Sequence, residues 1–265
     1  MDLARKRMLI TGGSSGIGLE IARAALGQGA RVIITGRSPE RMGAALGELG
    51  SAAEVWSILG DVSCDRDRRQ MLEAAVRFLG GLDILVNNAG AVRAGRLEEM
   101  DDGAIRTMIE VNLLAPILLT RAALPHLRAS GEALVVNISS GIALIGMPFY
   151  TSYAAAKAGL SHFGEALRRE LDDERVKVLT VYPTATDTPM MASSRLDPPE
   201  GRESPRDVAR AVIEAILEDR RDVIRGTPDR QKMIALNRSD PASVDSALRF
   251  GKAIFEEAVR DHSSF

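Results

Sequence analysis

The sequence has little of what several large classes of protein need. It contains one cysteine, Cys64, and three widely separated histidines, His126, His162 and His262, among 265 residues. A single cysteine cannot form an internal disulfide bond, and this set offers no cysteine-rich zinc site. We therefore expect a protein of a reducing compartment that holds no metal.

Excess positive charge and aromatic residues are also scarce. Lys and Arg number 34 against 36 Asp and Glu, a formal net charge of −2, and aromatic residues make up 4% of the chain. Without a basic excess the chain is poorly suited to neutralising a phosphate backbone, and it has few rings for base stacking. We therefore expect no nucleic-acid partner.

Long apolar runs are missing as well. A membrane-spanning helix needs at least ~18 apolar residues, whereas the longest candidate, 113–127, is interrupted by Arg121 and carries two prolines. The apolar stretch near the amino terminus is too short for a signal peptide. The sequence predicts a soluble cytoplasmic protein with no membrane partner.

What the sequence does contain is a regular alternation of strand-like and helix-like segments. Short apolar runs typical of strands occupy 7–11, 31–36, 55–59, 83–87, 133–139, 176–182 and 222–225. Runs with helical spacing occupy 16–29, 39–49, 65–79, 102–129, 152–173 and 206–219. The alternation predicts βαβ units in one parallel α/β domain, and the continuously apolar strands indicate that helices cover both faces of the sheet.

Two stretches depart from this rhythm. Residues 183–205 are rich in Pro, Thr, Ser and Met without a clear period, which is typical of a functional or mobile loop. After a main domain at 1–226, residues 227–265 predict a helical extension that packs on the same domain or on a partner subunit. A freely disordered tail is the alternative. The expected helix spans 243–260, with an apolar face of Ala247, Leu248, Phe250, Ile254, Phe255 and Ala258.

A glycine-rich turn, TGGSSGIG at 11–18, joins the first predicted strand to the first predicted helix. Glycine there permits a tight turn, and the helix amino terminus offers N–H groups to a pyrophosphate. The residues expected to contact a dinucleotide are Gly12, Ser14, Ser15, Gly16, Ile17 and Gly18. Its spacing is neither the common dinucleotide fingerprint nor a P-loop, but its position after a strand and before a helix favours dinucleotide binding, with a purely structural turn as the alternative.

Three further motifs decide between these interpretations. NNAG at 87–90, NISS at 137–140 and YAAAK at 153–157 follow the glycine-rich turn. In order and spacing the four motifs resemble the classical short-chain dehydrogenase/reductase family over residues 1–225. The resemblance implies a doubly wound parallel sheet (Rossmann fold) with strand order 3-2-1-4-5-6-7. It also implies NAD(P)-dependent oxidoreductase activity and a homodimer or homotetramer paired through helices 102–129 and 152–173.

Four residues form the catalytic set that the resemblance implies. Tyr153 and Lys157 are four residues apart on a predicted helix and therefore share a face. A neighbouring ammonium and a cationic nicotinamide would favour the phenolate, so Tyr153 would exchange a proton with the substrate oxygen. By resemblance Ser140, rather than Ser139, binds that oxygen, and Asn112 holds a water that relays protons to Lys157. Taken singly each is an ordinary packing or surface residue, and the shared register favours the active set.

The resemblance also implies further cofactor contacts. Asp61, with Val62, is expected at the adenine, and Thr188 at the carboxamide. Thr184 stands where the family usually has glycine, which leaves the path of that loop open. The remaining expected contacts are Asn88, Ala89, Gly90, Tyr153, Lys157, Pro183 and Thr186.

The end of the second strand bears on the choice of coenzyme. NAD-dependent enzymes place a carboxylate there for the ribose 2′-hydroxyl, whereas this chain has Gly36, Arg37 and Ser38, with no acid before Glu40. Arg37 and Ser38 would bind a 2′-phosphate. The sequence therefore predicts NADP(H) over NAD(H) and net carbonyl reduction, with a solvated surface Arg37 as the alternative.

The identity of the substrate lies beyond the sequence. Residues expected near the catalytic set suggest an apolar pocket for a small carbonyl or alcohol compound. They are Val92, Ile142, Tyr150, Met190 and Met191. Two other functions stay open: a 3-ketoacyl-carrier-protein reductase, and a non-catalytic NADP(H)-sensing regulator. Mixed charge at 168–175 does not favour docking of an acidic carrier protein.

Overall fold

A central parallel sheet dominates the computed structural model, which describes residues 1–50, 54–196, 198 and 201–264. The strands are β1 Arg7–Ile10, β2 Arg31–Gly36, β3 Val55–Leu59, β4 Ile84–Asn87, β5 Val92–Arg93, β6 Ala133–Ile138, β7 Val176–Tyr182, β8 Asp222–Ile224 and β9 Ser263–Ser264. Seven of them form the sheet in the order β3-β2-β1-β4-β6-β7-β8. Counted along the sheet's own strands this is 3-2-1-4-5-6-7, so the predicted fold class is confirmed.

Helices cover both faces of the sheet because its strands are apolar on both sides. The helices are α1 Gly16–Gly27, α2 Pro39–Leu49, α3 Asp65–Leu79, α4 Asp102–Ile109, α5 Ala115–Ala129, α6 Thr151–Glu170, α7 Pro205–Leu217, α8 Pro228–Ser239, α9 Pro241–Phe250 and α10 Lys252–Val259. One core lies between the sheet and α1, α2 and α7, and the other lies between the sheet and α3, α5 and α6. Burial on two faces explains why the strands read as continuous apolar runs.

Three helices of the main domain, α2, α4 and α7, begin with a side-chain cap. Ser38 caps α2 by accepting from the backbone N–H of Arg41 at 3.2 Å, and Asp101 caps α4 by accepting from that of Ala104 at 2.8 Å. In contrast, Ser15 makes no side-chain cap bond at the start of α1, and no acidic residue lies in that helix's first turn. The amino terminus of α1 therefore keeps unsatisfied N–H donors and its positive dipole end for an external anion.

The predicted helix at 102–129 is interrupted. A π-helical turn, Glu110–Leu114, joins α4 to α5, and such turns are common at functional sites. Within the described ranges, Asp102–Ala129 is the one helical stretch long and apolar enough to cross a bilayer by length and composition. In this fold α5 packs against β4, β6 and α3.

The carboxyl-terminal extension differs from the prediction of one helix over 243–260. Gly251 separates α9 from α10, so the two halves present different faces, and α8 was not predicted at all. Phe250 and Ile254 of the expected apolar face are 93% and 79% exposed in the single chain, so their packing on a partner subunit stays a prediction. Phe255 packs beside Phe149 in the main domain, and β9 pairs antiparallel with β5.

Candidate active site

A cavity of about 640 Å³ follows the carboxyl edge of the sheet. Its lining includes Arg37 and Asp61 after β2 and β3, the glycine-rich turn after β1, and Tyr153 and Lys157 on α6. In doubly wound sheets ligands bind at this edge. The cavity therefore joins most of the predicted cofactor contacts to the predicted catalytic residues.

The glycine-rich turn is shaped by close approach as much as by backbone conformation. Gly12 and Gly16 have φ of 65° and 54°, which side chains rarely adopt. A Cβ on Gly18 would lie 2.4 Å from the side-chain nitrogen of Asn88. That nitrogen donates to the carbonyls of Thr11 and Gly12 at 2.9 and 3.0 Å. The turn is thus held flat against the segment after β4, with the start of α1 lining the cavity.

The other end of the cavity carries opposite charges. Arg37 Nη1 lies 3.7 Å from Asp61 Oδ2, while the second oxygen of Asp61 accepts from the N–H and hydroxyl of Ser63. The hydroxyl of Ser38 donates to Glu40 Oε2 at 2.7 Å as well as capping α2. Its proton is thus already used within the chain. Arg41, which sequence reasoning missed, also lines the cavity.

Two adjacent serines after β6 face opposite directions. The hydroxyl of Ser139 donates to the backbone carbonyl of Lys157 at 2.9 Å and so ties the strand to α6. The hydroxyl of Ser140 lies near enough to the phenol of Tyr153 to lower its pKa, and its oxygen accepts from the N–H of Ile142 at 3.3 Å. Lys157 Nζ donates to the carbonyl of Ile138 at 2.9 Å and lies 5.8 Å from the centre of the Tyr153 ring.

Burial sets the protonation state of this pair. It raises the pKa of Tyr153 to about 12, although the hydrogen bond with Ser140 acts in the opposite direction. Burial also lowers the pKa of Lys157 to about 8. Near neutral pH the phenol is therefore protonated and the ammonium charged. In the protein alone the effect of burial on the pKa of Tyr153 outweighs the effect expected from Lys157.

Asn112 lies behind the cavity rather than in its wall. Its side-chain nitrogen donates to the carbonyls of Ala91 and Met108 at 2.7 and 2.9 Å, and its oxygen accepts from the N–H of Ala91 at 3.3 Å. The π-helical turn therefore places an amide that holds the chain after β4 in position. The relay of protons to Lys157 stays a prediction.

The loop after β7 is anchored by the residue that departs from the family pattern. The hydroxyl of Thr184 donates to Glu203 Oε2 at 3.1 Å, and Arg225 Nε donates to the other oxygen of Glu203 at 2.6 Å. A methyl-sized group on Gly16 would meet Thr188 at 2.9 Å. The loop thus lies directly against the glycine-rich turn. Its residues that line the cavity include Pro183, Thr184, Ala185, Thr186 and Thr188.

The substrate side of the cavity is walled by two parts of the chain. The five residues expected there, Val92, Ile142, Tyr150, Met190 and Met191, all line the cavity. The extension adds residues that sequence reasoning missed, namely Thr227, Asp229, Arg230, Met233, Phe255, His262 and Ser264. Sequence reasoning assigned no site residue to the extension, since no local motif marks a tail that returns to the site.

Comparison with known proteins gives the family. The family model described as short chain dehydrogenase matches residues 6–199. The chain belongs to the short-chain dehydrogenase/reductase family. It is similar to "Ketoacyl reductase HetN" of Nostoc sp., with 32% identity over 96% of this chain and 92% of that protein. It is therefore an NAD(P)-dependent oxidoreductase.

Solved structures agree with this assignment. A short chain dehydrogenase from Burkholderia cenocepacia, solved in complex with NADP, is 31% identical, with a TM-score of 0.76 over 84% of this chain and 97% of that one. A short chain dehydrogenase/reductase from Burkholderia phymatum is 23% identical, with a TM-score of 0.84 over 91% and 95% of the two chains. The second likeness concerns the fold alone.

The residues present fit a dinucleotide. A Cβ would fill the cradle at Gly12, Gly16 and Gly18, where the backbone must approach a pyrophosphate closely. In the described part of the chain, no three His, Cys, Asp or Glu side chains gather in a way that would hold a metal ion.

Gly18→Ala tests the cradle. The added methyl group must displace the Asn88 side chain from its bonds to the turn, so the Kd for NADPH and for NADH should rise at least ~10-fold. Gly27→Ala in the same helix, where nothing lies within 4 Å, is the matched control and should leave both constants unchanged. Equal affinities for the two variants in a fluorescence titration would contradict the cradle.

Lys157→Met tests the buried ammonium through stability. The unfolded chain keeps a lysine with the ordinary pKa of 10.5, so between about 8 and 10.5 it binds more protons than the folded protein. Wild-type stability relative to Lys157→Met should thus rise by about 2 kcal/mol from pH ~7 to ~9.5 in urea unfolding. Lys177→Met, at a 47% exposed lysine, is the control and should show no such rise. If the difference in unfolding free energy between wild type and Lys157→Met does not change with pH, the lowered pKa is contradicted.

Proposed function

We propose that this enzyme reduces the carbonyl group of a small apolar compound to a secondary alcohol with NADPH. The observation that carries the proposal is the placement of Tyr153 and Lys157 in the cavity wall, where the Lys157 ammonium, held by the Ile138 carbonyl, lies 5.8 Å from the centre of the Tyr153 ring. A phenol with its pKa raised to about 12 is a proton donor near neutral pH.

Each side chain of the site has a distinct role in such a reduction. Ser140 and Tyr153 both line the cavity, and their hydroxyls would hold the carbonyl oxygen of the substrate. When bound along the glycine-rich turn, NADPH would supply the hydride that the carbonyl carbon needs. Tyr153 gives its proton to the oxygen, which completes the alcohol and leaves a phenolate. The Lys157 ammonium, held by the Ile138 carbonyl, stabilises that phenolate.

The coenzyme preference rests on charge at the end of β2. Arg37 and Arg41 both line the cavity there, and Gly36 supplies no carboxylate for a ribose 2′-hydroxyl. The relative from Burkholderia cenocepacia was solved with NADP, which supports the same choice. Glu40, the nearest acid on α2, is held by Ser38.

A ketoacyl thioester is the second candidate substrate. It is favoured by the name of the relative HetN and by the apolar residues that line the pocket, such as Ile142 and Met190. A non-catalytic regulator is less favoured, because binding a dinucleotide does not need the Ser140–Tyr153–Lys157 arrangement. Cytoplasmic placement and a homodimer or homotetramer stay predictions.

Tyr153→Phe tests the proton donor. Because the ring remains while the hydroxyl is lost, kcat for reduction should fall by ~10³ or more, and the Kd for NADPH should stay within ~10-fold. The assay is oxidation of NADPH with a panel of ketones. Ser140→Ala should lower kcat more than Ser139→Ala, since only Ser140 meets the phenol. A Tyr153→Phe variant that keeps over a tenth of the wild-type kcat would overturn the assignment.

Arg37→Gln tests the coenzyme preference. Losing a charge-assisted contact to the 2′-phosphate should raise the Kd for NADPH by ~10-fold or more and leave that for NADH unchanged. This is a cleaner test than Gly36→Asp, because a Cβ on Gly36 would lie 2.9 Å from Ser14 Oγ. Arg169→Gln, at an exposed arginine on α6, is the control. A lower Kd for NADH than for NADPH in the wild type would contradict the preference.

A further inference from the structure

Residues 252–264, here called the tail, cross the substrate side of the cavity. They are attached to the chain on both sides of the cavity. On one side β9 pairs with β5, and the N–H of Ala94 donates to the carbonyl of His262 at 2.9 Å. Arg96 Nη2 also donates to Glu256 at 2.9 Å. These contacts join the tail to the segment after β4.

On the other side the tail is attached to the loop after β7. The hydroxyl of Ser193 donates to the carbonyl of Ser263 at 2.9 Å and accepts from the N–H of the same residue at 3.0 Å. The N–H of Arg195 donates to the carbonyl of Ala258 at 2.9 Å. The tail is thus held by backbone bonds at both rims of the pocket.

His262 fills the space between these rims. It is 2% exposed, its Nδ1 lies 2.6 Å from the Tyr150 hydroxyl, and its Nε2 lies 2.9 Å from the Met190 carbonyl. A carbonyl only accepts, so Nε2 carries the proton and a neutral ring accepts the Tyr150 proton at Nδ1. One side chain of the tail therefore positions a residue from each half of the pocket wall.

Phe255 continues this wall toward the catalytic residues. Its ring centre lies 6.1 Å from that of Tyr150, which in turn lies 6.2 Å from that of Tyr153. Phe255 also stacks on Phe149 at 6.2 Å. The tail thus adds to the pocket the ring of Phe255, which is linked to Tyr153 through the ring of Tyr150.

We propose that residues 252–264 form the closing wall of the substrate pocket and that Phe255 and His262 set the length of the apolar carbonyl compound it accepts. This inference rests on the proposed function. The fixed wall implies a ketone whose apolar chain ends against Phe255. A compound that must extend through this side of the pocket is excluded.

Phe255→Ala tests the wall with a series of unbranched 2-ketones. In the wild type kcat/KM should rise with chain length and then fall sharply at one length. Phe255→Ala should move that limit to longer chains, with a gain of about fourfold for each added methylene that the pocket accepts. Phe250→Ala is the matched control, because Phe250 lies at the end of α9 and is 93% exposed. It should keep the wild-type limit of ketone length.

His262→Ala extends the test to the attachment of the tail. It should broaden the accepted lengths and speed hydrogen exchange at the Ala94 amide, whereas His162→Ala, at an 84% exposed side chain, should do neither. An unchanged length limit in both Phe255→Ala and His262→Ala would overturn the wall while leaving the proposed reduction intact.

Failure of the proposed function gives a different result. If the wild type reduces none of the ketones, the reduction proposed above is wrong, and the wall is then judged by calorimetric binding of 2-butanone and 2-decanone to the NADPH-saturated protein. Tighter binding of 2-decanone by Phe255→Ala than by wild type or Phe250→Ala supports the wall. Equal or undetectable binding by all three proteins contradicts it.

Discussion

Keeping an ammonium group out of water costs free energy, and the catalytic end of this fold is arranged around that cost. Lys157 is 4% exposed, and burial lowers its pKa to about 8. Its ammonium donates to the carbonyl of Ile138, the last residue of β6. The hydroxyl of Ser139 then ties the backbone of Lys157 to the same strand. The end of β6 therefore sets the position and charge of Lys157. Tyr153 lies one turn earlier on α6, so its position follows from that of Lys157.

The cofactor half of the cavity depends on close backbone approach instead of charge burial. The glycine-rich turn lies flat because Asn88 reaches over Gly18 to the carbonyl of Gly12. Asn112, placed by a π-helical turn, holds the next stretch of the same segment at Ala91. The two halves meet in the loop after β7, where Thr188 lies against Gly16. The geometry of this loop depends on Thr184, which stands where the family usually has glycine, and on its hydrogen bond to Glu203.

The sequence predicted the shared face of Tyr153 and Lys157 from local periodicity, whereas the order of the strands came from the family resemblance of its four motifs. It did not predict that Ser38 caps α2 and donates to Glu40. The contact of Ser38, which lines the cavity, with a 2′-phosphate stays a prediction. The sequence also did not predict the break at Gly251, because the spacing of apolar residues over 243–260 was interpreted as one continuous helix. His262 carried no local signal, and its contacts with Tyr150 and Met190 span 112 and 72 residues. Burial cannot be read from spacing, so the raised pKa of Tyr153 needed the structure.

The central claim is that Tyr153 is a protonated phenol before the coenzyme binds. The chain has three tyrosines, so ring carbon-13 labelling with Tyr150→Phe and Tyr182→Phe variants assigns each signal. The direct measurement is the pH titration of the Tyr153 ring carbon in the ligand-free protein by nuclear magnetic resonance. With its pKa raised to about 12, Tyr153 should show no titration up to the ordinary tyrosine pKa of ~10. A midpoint near neutral pH in the ligand-free protein would contradict the account.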